Sequence, residues 1–153
     1  MHHYQTLLVA IDFSQNSALA LRRARQLAQL YQAELQVVHV CEVPTYPVLE
    51  DVAITGMPGI WDEQMGEKIY QAARERLTQL LANEGLSEVS SSVIAGIPRV
   101  DIVEHAQAIK ADLIVMGRRG LSGIERLIGS TTDTVSHNAH CDVLAVKLNG
   151  DSA

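Results

Sequence analysis

Five short apolar runs alternate with stretches of helical periodicity along this chain, and few folds accommodate that alternation. Thr6 to Ile11, Glu34 to Val40, Leu113 to Met116 and Val143 to Leu148 read as strands. They are largely apolar, as strands are when helices cover both faces of a parallel sheet. Val89 to Ala95 mixes valine and isoleucine with serines, which suits an edge or half-exposed strand. Between the strands, Leu21, Ala24, Leu27, Ala28 and Tyr31 give an amphipathic helix from about Ser17 to Leu30. Ile69, Ala73, Leu77 and Leu80 give another from about Asp62 to Asn83, with Gly85 as its C′ residue. Pro98 opens a third helix running to about Ile109, and Ser130 to Asn138 forms a fourth. The order βαβαβαβαβ predicts one α/β domain over residues 1–153, with a parallel sheet in the order 3-2-1-4-5. Composition agrees: hydrophobic residues make up 47% but aromatics only 4%, so the core is built from Ala, Val, Ile and Leu.

In such a sheet a ligand binds beyond the carboxyl ends of the strands where the order reverses, here between the first and fourth strands. Both ends carry notable residues. The first strand ends in Ala10-Ile11-Asp12, and the fourth runs from Met116 into a glycine cluster, with Gly117, Gly120, Gly123 and Gly129 inside 13 residues. Ser130-Thr131-Thr132-Asp133 then reads as a helix cap. A glycine-rich loop leading into a helix N-terminus exposes backbone N–H groups beside the positive end of the helix dipole, an arrangement suited to phosphate. Tight turns alone are the plainer reading of these glycines. Asp12 admits two roles, contact with a ribose or divalent cation and capping of the turn from Phe13 to Ser17. Val40 can line an adenine face or simply belong to the core, and Arg118 and Arg119 can meet phosphate or water.

Other chemistries are excluded or weak. Neither G-x-x-x-x-G-K-[ST] nor G-x-G-x-x-G occurs, which removes a P-loop and a dinucleotide fingerprint. Gly117-Arg118-Arg119-Gly120 matches the GXXG of a KH domain, but the element order and a net charge of −6 oppose nucleic-acid binding. His137, His140 and Cys141 imitate a metal cluster without a clear fourth ligand. His39 and His105 stand alone, and no nucleophile elbow is present. The opening MHHYQTLLVAIDFS has no basic region, and its apolar run is too short for a signal or spanning segment. With Cys41 and Cys141 far apart, packed thiols and a cytoplasmic protein that binds no membrane are expected. Residues 43 to 61 hold three of the four prolines and follow no single period, reading as a loop that covers something.

The segments TLLVAIDFSQNSALAL, LQVVHV, KADLIVMGRRGLSGIERLIGS and VLAVK together resemble the universal stress protein family over nearly the whole chain. The resemblance implies a Rossmann-like, adenine nucleotide alpha hydrolase-like three-layer sandwich, and a homodimer paired through the C-terminal strand. One branch of the family binds ATP through G-x2-G-x9-G-[ST]. The nearest match here is Gly117, Gly120, Gly129 and Ser130, with eight residues where the motif has nine. Carried over by position, Ala10, Ile11 and Asp12 would meet the ribose, and Val40 and Met116 the adenine. Gly117, Arg119, Gly120, Gly129, Ser130, Thr131 and Thr132 would meet the phosphates, and Asp12 would hold Mg2+ or Mn2+ through them. Asp133 would repel phosphate unless turned into the helix cap, and Asp142 stands where relatives often have proline. The expected function is ATP binding as a regulatory or sensing ligand in the stress response. The alternatives are a weak ATPase or phosphotransferase, and a dimeric scaffold that has lost its nucleotide.

Overall fold

The computed structural model describes residues 3–42, 63–118 and 129–147. Five parallel strands, β1 (Thr6–Ala10), β2 (Glu34–Cys41), β3 (Ser90–Ala95), β4 (Leu113–Gly117) and β5 (Asp142–Val146), lie in the order β3-β2-β1-β4-β5. Helices α1 (Gln15–Tyr31), α2 (Glu63–Asn83), α3 (Pro98–Ala108) and α4 (Ser130–Asn138) follow the strands in turn. This is the architecture expected from the alternation, and β3 with its serines lies at an edge.

Side chains on successive strand residues point to opposite faces, so each central strand feeds two cores. Leu7, Val9, Val37, Leu113 and Val115 pack with Ala20, Leu21, Ala24 and Leu77 under α1 and α2. Leu8, Ala10, Val38, Val40, Ile114 and Met116 pack with Ile102, Ala106 and Val135 under α3 and α4. The second core reaches the carboxyl edge of the sheet through Ala10, Val40 and Met116, and these become the floor of the cleft described below.

Several boundaries differ from the sequence reading, each for a local reason. Helix α1 starts two residues before Ser17 because Ser14 is its N-cap, its side chain accepting from the Ser17 N–H at 3.2 Å. Strand β1 stops at Ala10, one residue early, because the Ile11 carbonyl turns to a side chain. Helix α3 ends at Ala108, with Ile109 as its C-cap. Gly85, with φ +69°, occupies the left-handed position after α2, where its N–H and that of Leu86 return to Ala82 and Leu81 carbonyls. The cap expected from Ser130-Thr131-Thr132-Asp133 does not form: the N-cap of α4 is Gly129, with no side-chain hydrogen bond. Asp133 points along the helix instead, its carboxylate 3.6 Å from His137 Nδ1. Asp142 opens β5 and accepts the Tyr4 hydroxyl at 2.8 Å, so this departure from the family pattern ties the two ends of the chain together.

Candidate functional site

Where β1 and β4 part at the order reversal, their carboxyl ends open on a cleft of about 410 Å³. Ala10, Ile11, Asp12, Val40, Met116, Gly117, Gly129, Ser130, Thr131 and Thr132 all line it. Arg119 and Gly120, like the 43–61 segment read as a cover, lie outside the described residues. The sequence reading missed Ser17, Val38, His39, Cys41, Glu42, Pro98 and Ile102, which also line the cleft. The topology could have supplied them, because the start of α1, the end of β2 and the start of α3 flank the reversal on the β1 side.

One end of the cleft is an apolar slot between Val40, Ile102 and Met116, all buried. Its polar edge comes from backbone. In a parallel strand both peptide groups of a residue face the same neighbour, alternating along the chain. The Val38 carbonyl accepts from Ile11 N–H on the β1 side, and the Cys41 carbonyl accepts from Gly96 N–H on the β3 side. Val40 therefore presents both its N–H and its C=O toward β1, and β1 has already ended.

The other end is the start of α4. Asp133 N–H bonds to the Gly129 carbonyl, so the N–H groups of Ser130, Thr131 and Thr132 have no acceptor within the helix. With no side-chain cap over them, these donors and the helix dipole give an anion-receptive end. Just before them, Arg118 N–H bonds to the Val146 carbonyl, and Gly129 N–H to the Arg118 carbonyl, each at 2.8 Å.

Three of these residues have structural partners within the protein. Gly117 leaves room for α1: a β-carbon there would lie 2.7 Å from Asn16 Cβ and 2.9 Å from its backbone carbonyl carbon. The buried Thr132 hydroxyl donates to the Gly117 carbonyl at 2.8 Å, so its proton is not available to a phosphate and only its backbone N–H remains for one. Asp12 Oδ1 accepts from Ser14 N–H at 2.9 Å, closing an Asx turn; the helix cap itself is Ser14. Asp12 is nonetheless among the residues that line the cleft.

The lining holds two carboxylates, Asp12 and Glu42, and no lysine or arginine among the described residues. A polyanion entering such a cleft needs a cation beside it, and a carboxylate with phosphate oxygens is the donor set that Mg2+ or Mn2+ favours. Among the described residues no group of three His, Cys, Asp or Glu side chains could hold a metal alone. His137, His140 and Cys141 accordingly form no metal site there, and His137 Nδ1 bonds to the Asp133 carbonyl at 2.8 Å. The buried Cys41 thiol is pushed up in pKa by desolvation and then by the Glu42 charge, which keeps it protonated and a poor nucleophile.

A doubly wound α/β domain with a cleft at its order reversal, apolar at one end and rich in N–H donors at the other, is a Rossmann-like architecture. The universal stress protein family model matches residues 3–147, and this chain belongs to that family. Universal stress protein MJ0531 of Methanocaldococcus jannaschii is 34% identical over 149 residues, covering 94% of this chain and 82% of that protein. The structure of UspA from Lactobacillus plantarum shares 29% identity at a TM-score of 0.67, covering 95% of this chain and 99% of its own. A universal stress protein solved in complex with cAMP shares 29% identity at a TM-score of 0.59, covering 95% of this chain and 98% of its own. Among the described residues no helix is long and apolar enough to cross a membrane.

Proposed function

We propose that this chain binds an adenine nucleotide, ATP with Mg2+ or Mn2+, as a regulatory ligand in the stress response. The carrying observation is the unpaired peptide edge of Val40 facing an apolar slot, across the cleft from the bare N-terminus of α4. Adenine offers a ring acceptor beside an exocyclic amino donor, and one peptide N–H and C=O on a strand edge complement that pair. Val40, Ile102 and Met116 would enclose the ring. Asp12 would approach the ribose and, through the phosphates, the cation. Ser130, Thr131 and Thr132 would give backbone N–H groups to the phosphates, with Gly129 closing the cradle and Arg119 and Gly120 completing it. The related protein solved with cAMP supports the adenine assignment.

The same reading makes the chain a single cytoplasmic domain that pairs with its own copy through β5. Sensing would then be by occupancy, with phosphates engaging the uncapped N-terminus of α4. Equilibrium dialysis of the nucleotide-free protein against ATP, AMP and inorganic triphosphate tests this. Binding of ATP and AMP above triphosphate supports base recognition. Equal binding of all three would contradict it, and phosphate release by purified protein, lost in Asp12→Ala, would turn the assignment toward an ATPase.

A further inference from the structure

Ile11 is where β1 and β2 come apart, and its two backbone groups go separate ways. Its N–H donates to the Val38 carbonyl at 2.9 Å, continuing the ladder by one bond. The next bond of a parallel ladder would run from Val40 N–H to the Ile11 carbonyl. No backbone hydrogen bond joins those two groups among the described residues. In its place, His39 Nδ1 lies 2.6 Å from the Ile11 carbonyl, and because a carbonyl only accepts, Nδ1 carries the proton.

The surrounding geometry holds this substitution in place. The chain leaves the sheet through Asp12, whose Oδ1 accepts from Ser14 N–H, and Phe13, whose φ of +64° is a left-handed conformation that a bulky side chain rarely adopts. The Phe13 ring lies 4.5 Å from the His39 ring, and the Arg76 guanidinium of α2 sits 4.4 Å from the centre of the Phe13 ring. A left-handed Phe13 whose ring contacts both an imidazole and a guanidinium is held by its surroundings, as backbone strain has to be.

We infer that His39 is a positioning residue for base specificity: by occupying the Ile11 carbonyl it keeps the Val40 N–H and C=O open to the amino face of an adenine. This rests on the adenine-nucleotide reading of the cleft. Without His39, Val40 N–H would swing onto the Ile11 carbonyl and the edge would close. Hypoxanthine is the discriminating probe, because its ring N–H and carbonyl invert adenine's pattern and face donor to donor and acceptor to acceptor. A site built to match a hydrogen-bonding pair rejects the mismatched analogue strongly, whereas the ribose and phosphates of the two nucleotides are the same.

The test compares wild type with His39→Leu, which keeps bulk without a donor, and His39→Asn, whose amide nitrogen reaches near the Nδ1 position. In nucleotide-free protein, hydrogen exchange at the Val40 amide should slow about tenfold in His39→Leu, the protection of one added hydrogen bond, and stay at the wild-type rate in His39→Asn. In binding, the ATP to ITP affinity ratio should fall about tenfold in His39→Leu with ITP affinity unchanged, and recover in His39→Asn. An unchanged Val40 exchange rate or an unchanged affinity ratio in folded His39→Leu overturns the proposal. If wild type binds neither nucleotide, the nucleotide reading fails and the specificity role with it, while the exchange measurement still decides separately whether His39 opens the edge. Circular dichroism confirms that the variants are folded, and His39→Ala, which also lacks the donor, carries the comparison if His39→Leu is not.

Discussion

Gly117 and Asn16 meet with no room for a side chain between them: a β-carbon on Gly117 would lie 2.7 Å from Asn16 Cβ. The crowding includes Asn16 backbone at 2.9 Å, which a rotamer change cannot relieve. Gly117→Ala should therefore lower stability by about 1–3 kcal/mol through overpacking. Thermal unfolding should show it as a fall of about 2–4 °C per kcal/mol for a chain of this size. A variant with unchanged unfolding but weakened ATP binding would return Gly117 to the phosphate role.

Asp12→Asn separates charge from turn geometry. The amide keeps an Oδ1 acceptor for Ser14 N–H, so the turn before α1 should survive while the carboxylate charge is lost. Calorimetric titrations with and without magnesium should show loss of most of the magnesium enhancement and retention of metal-free affinity. Equal weakening in both conditions would assign Asp12 to the ribose.

Acid should weaken the fold through His105. Its Nε2 is buried without a hydrogen-bond partner among the described residues, and desolvation pushes its pKa down. The unfolded chain then binds the proton more readily, so stability is retained above the ordinary imidazole value of about 6.5 and declines as pH falls from there toward the lowered native pKa. Denaturant midpoints across that window should fall more steeply for wild type than for His105→Leu. Parallel slopes would show that His105 does not contribute.

Among the described residues no strand pairs with the outer edge of β5. Val146 carbonyl and Asp142 N–H bond toward β4, so by alternation the Ala145 N–H faces away from the sheet. Ala145→Pro should remove an outward donor without breaking the β4 ladder, as proline is tolerated on a strand's open side. If a second copy pairs there, sedimentation should shift toward monomer. A folded variant with unchanged sedimentation would place the interface elsewhere.

The fold was legible because five apolar runs and four helical periods state the βα alternation directly, and the reversal point then locates the cleft. Local boundaries were less legible. Nothing in the spacing of Ser130 to Asp133 reveals that Gly129 takes the cap, leaving the helix donors uncovered. The Thr132 hydroxyl looked like a phosphate ligand because its partner, the Gly117 carbonyl, is 15 positions away and adjacent only after β4 and α4 pack. His39 looked isolated for the same reason: its partners Ile11 and Phe13 belong to another strand end.

The central claim is that the cleft between β1 and β4 recognises adenine through Val40 and phosphate through α4. Isothermal titration of nucleotide-free protein with ATP, then with ITP and inorganic triphosphate, in the presence of magnesium, tests it most directly. The account predicts saturable binding of one ATP per chain, with ITP and triphosphate much weaker. Absence of ATP binding, or ITP and triphosphate binding as tightly as ATP, would contradict it.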